Sequence, residues 1–415
     1  MDYSNFSFDP IDPEFLRNPY PVFSHLRDND PVHWSDLGFW VVTRYVDSRA
    51  TLIGKQFGQG NFVRNIQLFY GGDFDVMAHP AYAWLSRVFV MQDPPAHTRV
   101  RGLVSEALSL KRIRAMEPRI RELAVQLLDQ YDRLGGDNFI TDFAYRFPTM
   151  VMCDMLGMGA EEYPPDLLSR LNQAIADSFI VFETRALSEV ELERADSQML
   201  FLTAVFDELF ESRRRAPRDD LTTAMLRSQE GGDSLTPEEL STSVIGLFGA
   251  GFETTAHMIG NGMYLLGKYP EQRLRLLDDP GLAAHATEEV LRYESSLQAS
   301  YRTALEDQTI GSQTIRKGQR VLAIVAAANR DPAFFSNPEV FDISPREQKP
   351  LTFGGGIHYC VGAELARLEG RVFFEELVKR HPDFSVDVAT ARLRPAFLFR
   401  GLEYLKVALS SRAGG

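Results

Sequence analysis

Cysteine is nearly absent. Only Cys153 and Cys360 occur in 415 residues, and they do not form the C-x-x-C pairs of zinc ribbons or thioredoxin-like redox motifs. So few thiols also exclude a disulfide scaffold, and Cys153, in the apolar run MVMCDMLGM, reads as a buried inert thiol. Long hydrophobic runs are missing: stretches such as Val321–Ala328 fall far short of the ~20 residues that a membrane-spanning helix needs. The start, MDYSNFSFDP, has neither a basic stretch nor an apolar one, so no secretory leader is expected. Positive charge is in deficit, 44 basic against 57 acidic residues for a net charge of -13, which disfavours nucleic acid and anionic membranes as partners. Nucleotide-binding P-loop, H-E-x-x-H and strand-borne G-x-G-x-x-G patterns are also lacking. Without repeats, low-complexity tracts or a Gly/Ser/Pro linker, residues 1–415 are expected to form a single cytoplasmic domain.

What is present is helical periodicity. Helices are predicted over 95–107, 111–133, 139–156, 187–215, 237–268 and 281–294, with a short one from Pro19 to Asp28 and a last one from about Cys360 to Arg380. Pro31 to Trp34 and Phe39 to Thr43 alternate around a turn and read as a hairpin, and Gln319 to Ala323 reads as a strand. The fold class is therefore mainly α with small β-sheets. Gly54 to Asp93, with Gly58, Gly60, Gly71 and Gly72, shows no sustained period and reads as a long irregular connection that walls a binding site. Asp331 to Arg346 carries Pro332, Pro338 and Pro345 and cannot be regular helix. Thr236-Pro237-Glu238-Glu239 combines a capping threonine, a first-turn proline and a capping-box glutamate. The helix it starts runs to Lys268, roughly 45 Å at 1.5 Å per residue, long enough to cross the molecule.

The most informative segment is Phe353-Gly354-Gly355-Gly356-Ile357-His358-Tyr359-Cys360-Val361-Gly362. It places a lone cysteine on a glycine-rich loop that feeds a helix. Glycines let backbone N–H groups approach the sulfur, the helix N-terminus favours a thiolate, and Gly362 leaves room for a flat ligand. This spacing resembles the haem-binding loop of the cytochrome P-450 superfamily, Phe-x-x-Gly-x-x-x-Cys-x-Gly. The resemblance implies a triangular-prism fold, with haem b (iron protoporphyrin IX) between the long central helix and the cysteine-loop helix. Cys360 would be the axial thiolate and sole protein ligand of the metal, with Phe353, Gly354, His358 and Gly362 around it.

Other segments match that family in order. Ala250-Gly251-Phe252-Glu253-Thr254-Thr255 sets an acid beside a hydroxyl among residues that weaken the helical ladder, so a local bulge is expected. It is similar to the family's oxygen-activation motif, which implies that Thr254 hydrogen-bonds the bound oxygen and Glu253 feeds protons, with Ala250 and Gly251 facing the cofactor. Gly246, Gly249 and Ala250 share a helix face one turn before Thr254 and leave room for substrate. Glu289-Val290-Leu291-Arg292 resembles the family's Glu-x-x-Arg pair, joined by Arg346 of the proline-rich stretch in a structural role. His97 and Arg101 are i,i+4 neighbours; with Arg302 and His358 they occupy the positions that the family uses for the haem propionates.

The resemblance implies a monooxygenase that inserts one atom of O2 into an apolar small molecule, by hydroxylation or by epoxidation. Secondary-metabolite tailoring of a polyketide, terpenoid or fatty-acid type is the analogy. A peroxide-driven or isomerising haem-thiolate enzyme and a non-enzymatic haem gas sensor are the alternatives; retention of Glu253 and Thr254 favours the monooxygenase. Substrate contacts are expected from Phe89, Phe179, Leu297, Ala299, Phe397 and Leu398, with Phe182 nearby. Electrons would come from a ferredoxin-type donor and its reductase, docking on a basic patch of Arg99, Lys111, Arg112, Arg114, Arg367 and Arg371.

Overall fold

The computed structural model describes residues 8–159, 165–228 and 234–409; the two ends of the expected 1–415 unit lie outside the described residues. Among the described residues, nine strands form three sheets. The largest has the order β1-β2-β7-β4-β3, from β1 (Val32–Ser35), β2 (Phe39–Val42), β3 (Phe57–Gly58), β4 (Ser300–Ala304) and β7 (Arg320–Ala323). The N-terminal hairpin forms as its alternation predicts, with Trp34 opposite Trp40 and their rings 5.0 Å apart. β2 then runs parallel to β7, which is antiparallel to β4. This sheet therefore joins chain ends nearly 300 residues apart, beyond the reach of any local pattern. β5 (Gln308–Ile310) pairs with β6 (Gln313–Ile315), and β8 (Ser385–Leu393) with β9 (Leu402–Ala408).

The helical body is built around the central helix Pro237–Lys268, 32 residues long. Its start follows from its sequence: the Thr236 hydroxyl accepts the Glu239 N–H at 3.2 Å, and the Glu239 carboxylate accepts the Thr236 N–H at 2.9 Å. Helices Arg146–Leu156, Glu189–Arg215, Ala283–Tyr293 and Ala363–Arg380 pack against it. The expected bulge at 250–255 is not there. The helix continues unbroken because the Thr254 hydroxyl shares the Ala250 carbonyl, 2.8 Å away, without displacing the backbone bond.

Several expected helices are broken where a proline acts. The segment 111–133 divides into Leu110–Ala115 and Glu117–Leu134, because Pro118 cannot donate back to Arg114 but fits the first turn of a new helix. The segment 139–156 opens with a wide turn, Ile140–Ala144, before Arg146–Leu156; Pro148 again has no N–H for the preceding turn. Residues 54–93 are not irregular as expected. They hold helices Phe62–Tyr70 and Pro80–Arg87, the first capped by Asn61, whose side chain accepts the Arg64 N–H at 3.0 Å. These helices are about two turns long, too short for their period to show between glycines.

Candidate active site

The loop before Ala363–Arg380 is shaped by two glycines in the left-handed region, Gly354 at φ 70 and Gly356 at φ 63, a conformation that costs other residues about 1–2 kcal/mol. It folds back so that Phe353 O accepts the Cys360 N–H at 2.9 Å. The last helix thus starts three residues after Cys360, with Gly362 as its cap. Cys360 is a free, exposed thiol. Burial pushes its thiol up, while the Gly362 N–H and the Arg101 and Arg367 guanidiniums pull it back toward the thiolate. Arg101 also donates to Tyr359 O, and Arg367 stacks 4.5 Å over the Phe353 ring. The other thiol, Cys153, is buried and pushed up to about 12 by desolvation, so it stays protonated and inert.

Beside this loop the four expected basic residues come together. The His97 and His358 rings are 4.3 Å apart, and all four of their nitrogens are buried without a hydrogen-bond partner. Burial, with Arg302, His97 and Arg101 nearby, holds His358 down at about 3. Burial also lowers Arg302 to about 10; the acid that opposes this, Asp93, already accepts the Gln59 and Gly60 N–H groups at 2.8 and 3.0 Å. Orphaned buried imidazole nitrogens are costly unless something accepts from them. This cluster fits carboxylate oxygens.

On the central helix Ala250 is exposed and Thr254 half-buried, so both present to open interior space. Gly251 does not: a Cβ there would lie 2.6 Å from Met152 Sδ, so Gly251 lets Arg146–Leu156 pack closely and does not face a cofactor. Glu253 is buried, with Oε1 accepting from Arg394 Nη1 at 2.7 Å and Oε2 unpartnered. Arg394 Nη1 also lies 2.8 Å from His257 Nε2 and 3.3 Å from Tyr145 OH. Burial raises Glu253, and Arg394 opposes it; burial and Arg394 together keep His257 neutral. His257 was findable four residues after Glu253 on the same helix face. Arg394, 141 residues away in sequence, was not.

The expected substrate residues divide. Gly246 faces Val88 and Trp84 at 3.6 and 3.8 Å from where a Cβ would be, and Gly249 is covered by Phe179, which stacks on Trp84 at 5.5 Å. Phe89 is buried with its ring 6.3 Å from His97. Leu297 bridges to Phe399. Ala299, Phe397 and Leu398 belong instead to the core over the large sheet, where Phe397 packs edge-on to Phe8 at 5.8 Å. A functional candidate that the sequence reading missed is Glu183, which burial pushes up to about 7 and which accepts the Leu398 N–H.

The family model described as Cytochrome P450 matches residues 52–279 and 282–396. The chain belongs to the cytochrome P450 family. It is 35% identical to the Biotin biosynthesis cytochrome P450 of Bacillus subtilis (strain 168), covering 95% of this chain and 97% of the other. It is equally identical, 35%, to the Mycinamicin IV hydroxylase/epoxidase of Micromonospora griseorubida, over 87% of each chain. Among solved structures, P450BioI in complex with hexadec-9Z-enoic acid ligated Acyl Carrier Protein superposes with a TM-score of 0.86 at 33% identity, covering 96% of this chain and 99% of that one. This cytochrome P450 is an enzyme of the monooxygenase class, and the family implies a haem-thiolate cofactor. Among the described residues, no helix is long and apolar enough to cross a membrane.

Behind the cysteine loop of this P450, Glu289 and Arg292 form a doubly bonded pair at 2.7 and 2.8 Å, both side chains 2% exposed. Arg292 also donates to Asn329 O, Pro338 O and Val340 O at 2.9, 2.9 and 3.1 Å. Glu289 accepts the Asp342 N–H at 2.9 Å and pairs with Arg346 at 3.3 Å. One ion cluster thus holds the proline-rich stretch, which has no helix or strand of its own. Glu289→Gln keeps the shape and removes the charge, and is expected to cost about 1–3 kcal/mol, read as a lowered urea midpoint.

The basic patch expected for an electron donor is largely neutralised. Arg99 pairs with Glu239, Arg112 with Asp219 at 3.4 Å, Arg367 with Glu288 at 2.5 Å, and Arg371 with Glu117 and Glu375 at 2.9 Å each. Carboxylates one helical turn away or on adjacent helices, unplaceable from sequence, cancel the field. Exposed Lys111 and Arg114 are the members for which such pairing is not seen.

Proposed function

We propose that Cys360 would ligate the iron of haem b in this P450, and that the enzyme hydroxylates an unactivated position of a largely apolar small molecule, epoxidation being its second outcome. Electrons come from a ferredoxin-type protein and its reductase. The observation that carries this reading is the orphaned His97–His358 pair between Arg101 and Arg302 beside an accessible thiol. The bound group supplies O2 activation, favoured by electron density pushed from a thiolate ligand. The protein does the rest.

His97, Arg101, Arg302 and His358 would hold the two propionates, four donor groups for two carboxylates. The Gly362 N–H and the guanidiniums of Arg101 and Arg367 stabilise negative charge on the sulfur. Thr254 offers its hydroxyl on the open side of the central helix, next to Ala250, while the buried Glu253 carboxyl lies one residue away with Arg394 fixing one of its oxygens. The relatives support a biosynthetic role on a metabolite: one is named for biotin biosynthesis and another as a mycinamicin IV hydroxylase/epoxidase.

Thr254→Ala tests the assignment. Product formed per electron pair consumed is expected to fall about tenfold, while substrate binding is retained, because only delivery of the proton is impaired. Unchanged coupling would remove Thr254 from the mechanism. Turnover with hydrogen peroxide but not with reduced ferredoxin and O2 would overturn the proposed cycle.

A further inference from the structure

Acids cancel Arg99, Arg112, Arg367 and Arg371, four of the six cations expected to attract an electron donor. A second surface beside the cysteine loop has a different character. Helix Tyr45–Ile53 buries Tyr45, Ser48, Thr51 and Leu52 against the fold. Val46, Ala50 and Ile53 are exposed instead, spaced i, i+4 and i+7 so that they share one face. Val46 is 67% exposed and Ile53 39%. Single exposed apolar side chains are ordinary, but a continuous row of them marks a contact surface.

The row runs into the cysteine loop. A Cβ on Gly355 would lie 2.6 Å from Ile53 Cγ2, and one on Gly356 3.1 Å from Ile53 Cα, so the end of the helix rests on the loop backbone. The next loop residue, Ile357, is 51% exposed and stands three positions before Cys360. Two exposed cations flank the row, Arg49 within the helix and Lys55 just past its end. Among the described residues neither forms an ion pair. The one acid of this helix, Asp47, is half-buried and lies near Arg44 and Asp331. The charge left uncancelled beside the row is therefore positive, on a chain whose net charge is -13.

We infer that the electron donor docks on this face: an acidic iron–sulfur protein whose apolar centre covers Val46, Ala50, Ile53 and Ile357 while carboxylates at its edge meet Arg49 and Lys55. An apolar centre with a charged rim is the usual build of such contacts, and the rim cations would steer an acidic partner toward the loop that carries the sulfur. A second copy of this chain fits less well. A two-fold contact sets like against like, which would bring Arg49 and Lys55 toward their own equivalents. This inference rests on the ferredoxin-driven reading and fixes where that donor binds, on helix Tyr45–Ile53 and not on the neutralised patch.

The test measures the rate at which a plant-type [2Fe–2S] ferredoxin, kept reduced by its reductase, forms the reduced carbonyl adduct of the haem-loaded enzyme, over a range of ferredoxin concentrations. Val46→Asp and Arg49→Glu are each expected to raise the half-saturating concentration about tenfold, while reduction by dithionite and the carbonyl spectrum stay as in the wild type. The Arg49→Glu defect should shrink at high salt, where charge is screened, and the Val46→Asp defect should persist. Val46→Ser removes the apolar contact without adding charge and should show a smaller loss in the same direction. Arg114→Glu, in the patch first expected, should shift the value less than about twofold. Unchanged half-saturation in Val46→Asp and Arg49→Glu, or a larger effect of Arg114→Glu, would overturn the inference. If the wild-type enzyme forms its carbonyl adduct with dithionite but accepts no electrons from ferredoxin, the donor reading itself fails, and this inference with it.

Discussion

Cys360→Ser is expected to leave a folded protein whose reduced carbonyl adduct has lost the red-shifted Soret band of thiolate ligation. O2-dependent turnover should fall more than about 100-fold, beyond the range usual for changes to outer-shell partners of a metal ligand. The reason is local charge. Everything arranged around Cys360 acts on a negative sulfur: the Gly362 N–H donates to it, and Arg101 and Arg367 lie close enough to favour its ionised form. A serine hydroxyl does not ionise at neutral pH and would leave those donors facing a neutral oxygen. The loop itself should survive, because its shape depends on Gly354, Gly356 and the Cys360 N–H bond to Phe353 O, which serine can also make. Cys153 offers no rescue, since desolvation keeps it protonated in the core. Undiminished thiolate spectra in Cys360→Ser would end the haem-thiolate assignment; an unchanged far-ultraviolet spectrum is the control that separates ligation from unfolding.

How much of this was legible beforehand depended on how local the cause was. The capping box at Thr236, the hairpin around Gly38 and the cysteine loop all rest on contacts within about ten residues, and each appears where the sequence places it. The four basic residues at the cysteine loop, drawn from three distant segments, were placed by their match to a family pattern and not by any period in the chain. What escaped was non-local. Arg394 reaches Glu253 across 141 residues, the carboxylates that cancel Arg367 and Arg371 come from neighbouring helices, and Phe397 is claimed by an N-terminal core containing Phe8 and Phe15. Alternation alone could not show that Phe397 faces other aromatics and not a substrate.

Glu253→Gln should lower turnover by about a hundredfold or more, the scale of a lost positioned proton carrier, with substrate affinity retained. Burial raises the Glu253 carboxyl above its ordinary value of 4.5, and Arg394 works against that rise. An acid raised in the folded state contributes stability that is full below its unfolded value and is lost as pH rises through the folded one. Wild-type stability relative to Glu253→Gln should therefore decline with rising pH across that interval, measured as the difference in urea midpoints. Arg394→Leu removes the opposing positive charge, so Glu253 should hold its proton to still higher pH and the decline should move upward by the same sense. The free oxygen Oε2 then matters for chemistry: with Oε1 tied to Arg394 at 2.7 Å, Oε2 is the carboxylate oxygen left without a partner and so the one free to exchange a proton. If Glu253→Gln alters neither turnover nor the pH dependence of stability, the carboxyl is not a proton carrier, and the buried cluster with Arg394, His257 and Tyr145 is packing alone.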